Sequence, residues 1–247
     1  MARNDDGPKP GKLLICRLVS AGHAPTEEGR NANDEVHWLM HIRIGQADAK
    51  YPQTLNRFLE NRAPKNIFAL GNLGLLRQET IALFCSVKCP GNLILKTYDL
   101  ARQLRDAGTA VISGFHSPME KECLSLLLRG EQPIIWCLAK RLIPTRLSKE
   151  YANALSKGRL LMLSPFGEKI KRADEDTARF RNEFVAALAD RVFVAHAASG
   201  GKTEIFCRKV LGWGKPLLTF KDPSNIALLN LGARPFSGLE GIGIEGP

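Results

Sequence analysis

From Thr80 onward the chain alternates two apolar patterns. Short, nearly continuous apolar runs recur at Thr80–Ser86 (TIALFCS), Ala110–Ser113 (AVIS), Pro133–Leu138 (PIIWCL), Leu160–Leu163, Arg191–His196 (RVFVAH) and Lys215–Phe220 (KPLLTF). Each reads as a strand buried on both faces. Between them lie helical stretches: Asn92–Ala107 with Leu100 and Leu104 on one face, Ser117–Arg129, Ser148–Ser156, the stripe of Phe180, Phe184 and Leu188, and Glu204–Leu211. Gly108, Gly130 and Gly212 follow three of these helices as C-caps. Strands alternating with helices predict right-handed βαβ units. The expected fold is α/β: a doubly wound, mostly parallel Rossmann-like sheet with helices on both faces.

Residues 1–50 break this rhythm. A polar loop, Pro25–Glu35, separates two apolar runs, Leu13–Val19 and Val36–Ile44. Each run is short enough to be strand or helix. The expected organisation is an N-terminal appendage of unknown role (1–50), a Rossmann-like domain (51–239) and a flexible, glycine-rich tail (240–247).

Charge narrows the partner. Lys and Arg number 35 against 25 acids, a net charge of +10. Such an excess favours a polyanion or an anionic ligand. Apolar residues at 44% and charged residues at 24% exclude a disordered or fibrous chain. No apolar run reaches the ~20 residues of a membrane span, and the first residues lack a signal-peptide layout. A soluble, cytoplasmic protein is expected. Of the cysteines Cys16, Cys85, Cys89, Cys123, Cys137 and Cys207, the last three sit in apolar stretches and read as core. Cys85 and Cys89 lack a second Cys/His pair at zinc spacing, so neither a metal nor any other cofactor is expected.

In an open parallel sheet, ligands bind outside the carboxyl ends of the strands. The turn Cys85–Gly91 runs from a strand into a helix. Ser86 and Lys88 could hold a phosphate there, or the segment is a plain tight turn. In the second turn Gly114 permits close backbone approach, and Ser113 and His116 stand at the strand end. Ser117, Pro118 and Glu120 spell a capping box. The turn Ala197–Glu204 is the strongest local signal: Ser199, Gly200, Gly201, Lys202 and Thr203 resemble a phosphate cradle without matching the P-loop. Arg181 and Asn182 open the Phe184 helix and could point into the same crevice, or they form an ordinary solvated helix start. A second basic stretch holds Lys140, Arg141, Arg146, Lys149, Lys157 and Arg159 with Glu150 as its one acid. It suits a phosphate backbone, or forms a solvated helical face. No complete catalytic constellation is visible. Aromatics at 7% leave little for base stacking.

Taken in order, these segments resemble the DNA-processing protein A family (DprA, also called Smf). Tyr51-Pro52-x-x-Leu55, Pro64 and Phe68-x-x-Gly71-Asn72 resemble its lead-in to the first core strand. Ile81–Ser86 resembles that strand; Ser113-Gly114 resembles the start of Ser-Gly-x-Ala-x-Gly-Ile-Asp. Leu163-Ser164 resembles its Ser-Glu pair, and Phe180-Arg181-Asn182 its Phe-Pro-x-Arg-Asn-Arg segment. Ser199-Gly200 with Thr203 resembles Ser-Gly-Ser-x-x-Thr, and Leu231-Gly232-Ala233 the closing Gly-Ala. Three departures mark a divergent member: Val87 replaces the arginine of Gly-Ser-Arg, Glu120 stands where the family has Asp, and Pro165 where it has Glu. The resemblance implies binding of single-stranded DNA without catalysis, a RecA-type recombinase as partner, and a role in recombination and natural transformation. A homodimer is a further expectation. The alternative is a nucleotide-binding sensor, or a nucleoside-monophosphate phosphoribohydrolase of the LOG type, echoed by Arg181 and Gly200–Glu204.

Overall fold

The computed structural model describes residues 41–143 and 147–239. The run Leu13–Val19, residues 36–40, Cys16, Arg146 and the tail 240–247 lie outside them. The described residues build a nine-stranded sheet in the order β1-β2-β6-β5-β4-β3-β7-β8-β9.

The strands are β1 (Ile42–Gly45), β2 (Asn66–Gly71), β3 (Thr80–Phe84), β4 (Ala110–Ser113), β5 (Ile134–Cys137), β6 (Leu160–Ser164), β7 (Arg191–Val194), β8 (Leu217–Phe220) and β9 (Arg234–Phe236). The helices are α1 (Gln53–Leu59), α2 (Gly91–Asp106), α3 (Pro118–Leu127), α4 (Lys149–Ser156), α5 (Glu175–Leu188), α6 (Lys202–Gly212) and α7 (Ile226–Asn230). Every strand expected from Thr80 to Phe220 is present. From β6 across to β9 all pairings are parallel. β2 joins β6 antiparallel, and β1 joins β2 antiparallel. The sheet therefore starts at Ile42, inside the segment expected as an appendage.

Alternation along each strand feeds two cores. Ala82, Phe84, Ile112, Ile135 and Leu161 face α1, α5 and α6, where Leu55, Phe184 and Val210 are buried. Ile81, Leu83, Val111, Ile134 and Leu160 face α2, α3 and α4, where Leu93, Leu104, Cys123 and Ala154 are buried. Helices on both faces explain why β3 and β6 have no exposed position. Cys123, Cys137 and Cys207 are fully buried, as core residues.

Helix ends follow the expected chemistry with two shifts, the first at α3, which ends at Leu127 with Gly130 three residues on and not left-handed. Ser117 caps α3 through the full capping box with Glu120. α6 runs through Gly212, and the left-handed residue that closes it is Gly214, at φ 71°. Among the described residues no helix is long and apolar enough to cross a membrane.

The strand order carries the functional consequence. After β3 the chain winds through β4, β5 and β6 on one side, then crosses to β7 on the other side of β3. The carboxyl ends of β3 and β7 thus flank a topological switch point.

Candidate nucleic-acid interface

At the switch point the two turns are tied together. The Ser86 amide donates to the His196 carbonyl at 3.0 Å, and the Ala195 amide to the Phe84 carbonyl at 2.8 Å. The hydroxyls of Ser86 and Thr203 lie 3.0 Å apart. Gly200 takes φ 70°, and its amide donates to Glu204 Oε2 at 3.0 Å. Arg208 donates to the other oxygen of Glu204 at 2.7 Å. The hydrogen bond from Arg208, then that from Gly200, hold the Glu204 carboxyl below the usual carboxylate range. The N–H groups of Lys202 and Thr203 begin α6, so they have no partner within the helix. They offer two donors at the positive end of the helix dipole. Gly201 is required for packing, since a Cβ there would lie 2.9 Å from the Ala198 carbonyl oxygen. Ser199 and Lys202 are exposed. Lys202 Nζ meets Glu175 Oε1 at 2.7 Å across solvent, an ion pair an incoming phosphate can exchange at little cost.

The turn after β4 is built differently. Ser113 is fully buried; its hydroxyl donates to the Leu83 carbonyl at 2.7 Å and accepts from the Phe115 amide at 3.2 Å. Ser113 therefore joins β4 to β3, with no exposed surface and a hydroxyl already engaged by the chain. Gly114 does permit a close approach, and the visitor is Arg181. A Cβ on Gly114 would stand 1.8 Å from Arg181 Nη1. Arg181 is 3% exposed. Its Nε donates to Asn182 Oδ1 at 2.9 Å and its Nη1 to the Cys137 carbonyl at 3.4 Å. Burial lowers its pKa, and the nearby Glu120 charge works against that. The Trp136 indole donates to the Gly114 carbonyl at 3.1 Å. Phe115, buried, holds φ 45°, a left-handed geometry costly for an aromatic residue. His116 is exposed.

The first turn keeps Lys88 exposed beside Ser86. Cys85 is buried and Cys89 half-buried; burial pushes both thiols up, away from nucleophilic thiolate. Among the described residues no group of three His, Cys, Asp or Glu is placed to hold a metal.

The expected basic stretch divides in space. Lys140 and Arg141 follow β5 and Lys149 opens α4, all at the carboxyl edge of the sheet. Lys157 and Arg159 precede β6, at the opposite edge. Lys157 pairs with Glu131 at 2.8 Å, and buried Arg159 donates to the Leu128 carbonyl at 2.6 Å. α4 separates the two groups by about 12 Å at 1.5 Å per residue. A cluster missed in the sequence takes their place. The Arg141 amide donates to the Ile170 carbonyl at 2.8 Å, and its guanidinium meets Glu168 at 2.7 Å. This brings exposed Lys169 and Lys171, with Arg172, beside Lys140. The run Lys169-Ile170-Lys171-Arg172 after a strand was the available signal.

A doubly wound, mostly parallel α/β sheet with helices on both faces defines a Rossmann-like domain. The family model for DNA recombination-mediator protein A matches residues 43–226, more than half of the chain. The chain belongs to this family. Its fold is similar to that of DNA processing protein A (DprA) from Streptococcus pneumoniae, with 19% identity, TM-score 0.69, 85% of this chain and 76% of that chain covered. It is also similar to DNA processing protein A from Helicobacter pylori, with 17% identity, TM-score 0.66, 83% of this chain and 94% of that chain covered. The description of the latter structure concerns a single-stranded DNA binding mode. No curated protein matches the chain significantly.

Proposed function

We propose that this protein binds single-stranded DNA through its phosphodiester backbone, as a non-catalytic mediator of recombination. One observation carries the reading. The α6 N-terminus with Ser86 and Thr203, the exposed Lys88 and Lys202, and the Lys140–Lys169–Lys171–Arg172 cluster all stand on the carboxyl edge of one sheet. Family membership and the net charge of +10 support the same partner. Phosphates held by side-chain cations and amides give affinity without sequence preference. His116, Ser199, Gly200 and Gly201 line the turns between these anchors and, with Asn182 from within α5, complete the proposed contact surface. Arg181 supplies a positive charge behind them.

The phosphoribohydrolase reading is disfavoured by Glu204. Both its oxygens are engaged, by Gly200 and Arg208, in a role that shapes the turn. A RecA-type recombinase is the proposed protein partner and a homodimer the proposed assembly, both on the family's pattern. The test compares binding of a single-stranded oligonucleotide and of mononucleotides at two salt concentrations. Tight mononucleotide binding without DNA binding would replace this reading with the sensor alternative.

A further inference from the structure

Three backbone N–H groups beside the switch point converge on one carboxylate. Cys85, from the β3–α2 turn, donates to Glu120 Oε1 at 3.1 Å. His116 and Ser117, from the β4–α3 turn, donate to Glu120 Oε2 at 2.8 Å and 3.4 Å. Glu120 is 5% exposed, and the buried guanidinium of Arg181 feels its charge. Amides from two loops aimed at one anion make a nest of the kind that holds a phosphate. At the carboxyl ends of adjacent parallel strands, such a nest ordinarily receives a nucleotide's phosphate. Here the anion belongs to the chain.

From this we infer that Glu120 is a built-in substitute for a phosphate monoester and sets the ligand specificity of the crevice. It organises both turns, including strained Phe115. It also closes the nest to free nucleotides and inorganic phosphate. A phosphodiester chain running along the edge does not need the nest, because the cations and the α6 amides lie outside it. The inference rests on the DNA-binding reading and names what that surface rejects.

The test is a titration of the ¹⁵N-labelled full chain with inorganic phosphate and with adenosine monophosphate, each to about 1 mM, the range of weak binding. In the unaltered protein the amides of Cys85, His116 and Ser117 should stay in place. In Glu120→Ala the same amides should shift saturably, with phosphate binding at least ~10-fold tighter than to the unaltered protein. Saturable shifts of the three amides in the unaltered protein would overturn the inference, and so would a folded Glu120→Ala that gains no phosphate. If that variant does not fold, the titration of the unaltered protein decides alone. A single-stranded oligonucleotide added to the same unaltered sample keeps the two readings apart. Absence of DNA binding sinks the DNA reading, whereas phosphate entry at the nest sinks the role given to Glu120.

Discussion

Gly114→Ala places a methyl group where Arg181 now lies. The new Cβ would stand 1.8 Å from Nη1, 2.0 Å from Cζ and 2.4 Å from Nε. Those distances cannot be relaxed by a few tenths of an ångström, so the guanidinium has to leave. Leaving breaks its hydrogen bonds to Asn182 and the Cys137 carbonyl. Hydrogen bonds from a charged donor contribute about 1.5–3 kcal/mol each, but the displaced guanidinium regains water. The net cost is therefore about 1–3 kcal/mol. For a domain of this size each kcal/mol lowers Tm by roughly 2–4 °C. Thermal unfolding of Gly114→Ala, Arg181→Ala and the double variant measures the coupling directly. With Arg181 truncated, the alanine at 114 has nothing to displace, so the double variant should recover at least ~1 kcal/mol relative to the sum of the single changes. Additive effects, or a Gly114→Ala protein as stable as the original, would refute the packing of Arg181 on Gly114.

Further outcomes follow from the same geometry. Lys202→Ala should leave stability within about 0.5 kcal/mol and flatten the salt dependence of DNA binding by about 0.7 per phosphate lost. Lys157→Ala, at the opposite edge, should leave both DNA affinity and salt slope unchanged; filter binding over a salt series checks the pair. Lys215 is 8% exposed, between the Ala187 and Ala189 carbonyls and the Phe58 ring, and burial lowers its pKa to about 8. Its unfolded value lies near 10.5, so the folded state binds fewer protons between about pH 8 and 10.5. The Lys215 contribution to stability should therefore rise across that window, by up to ~3 kcal/mol, while the buried thiols, pushed up by burial, act in the opposite direction above about pH 9. Urea unfolding of the original chain and Lys215→Met checks this, because the stability of the original relative to the variant should grow with pH across the window.

The sequence revealed the parallel core more fully than the site. Strands such as β3 and β6 are covered on both faces, so their apolar runs are continuous and stand out. β1 and β2 stayed hidden because their pattern is mixed, and because β2 pairs antiparallel with β6, about a hundred residues on, and β1 only with β2. Gly114 was legible as a place of close approach, but its visitor, Arg181, comes from a helix far along the chain. Ser113 had the position of a ligand residue, yet its hydroxyl serves the neighbouring strand. Arg159 looked like part of a basic stretch, while α4 carries it to the other end of the sheet. The Lys169–Arg172 run gained meaning only through the Arg141–Ile170 hydrogen bond that joins two loops. Local pattern reports burial; which loops meet is a property of strand order.

The central claim is that phosphodiester groups are held along the carboxyl edge of the sheet. The most direct measurement is the affinity of the full chain for a mixed-sequence single-stranded oligonucleotide across a salt series. Contacts to about four to six phosphates give a slope of roughly −3 to −4 in log K against log salt, or a loss of roughly 100-fold between about 50 and 200 mM. That slope, shared by oligonucleotides of different sequence, is the expected result. A slope flatter than about −1, or no binding of single-stranded DNA at low salt, would contradict it.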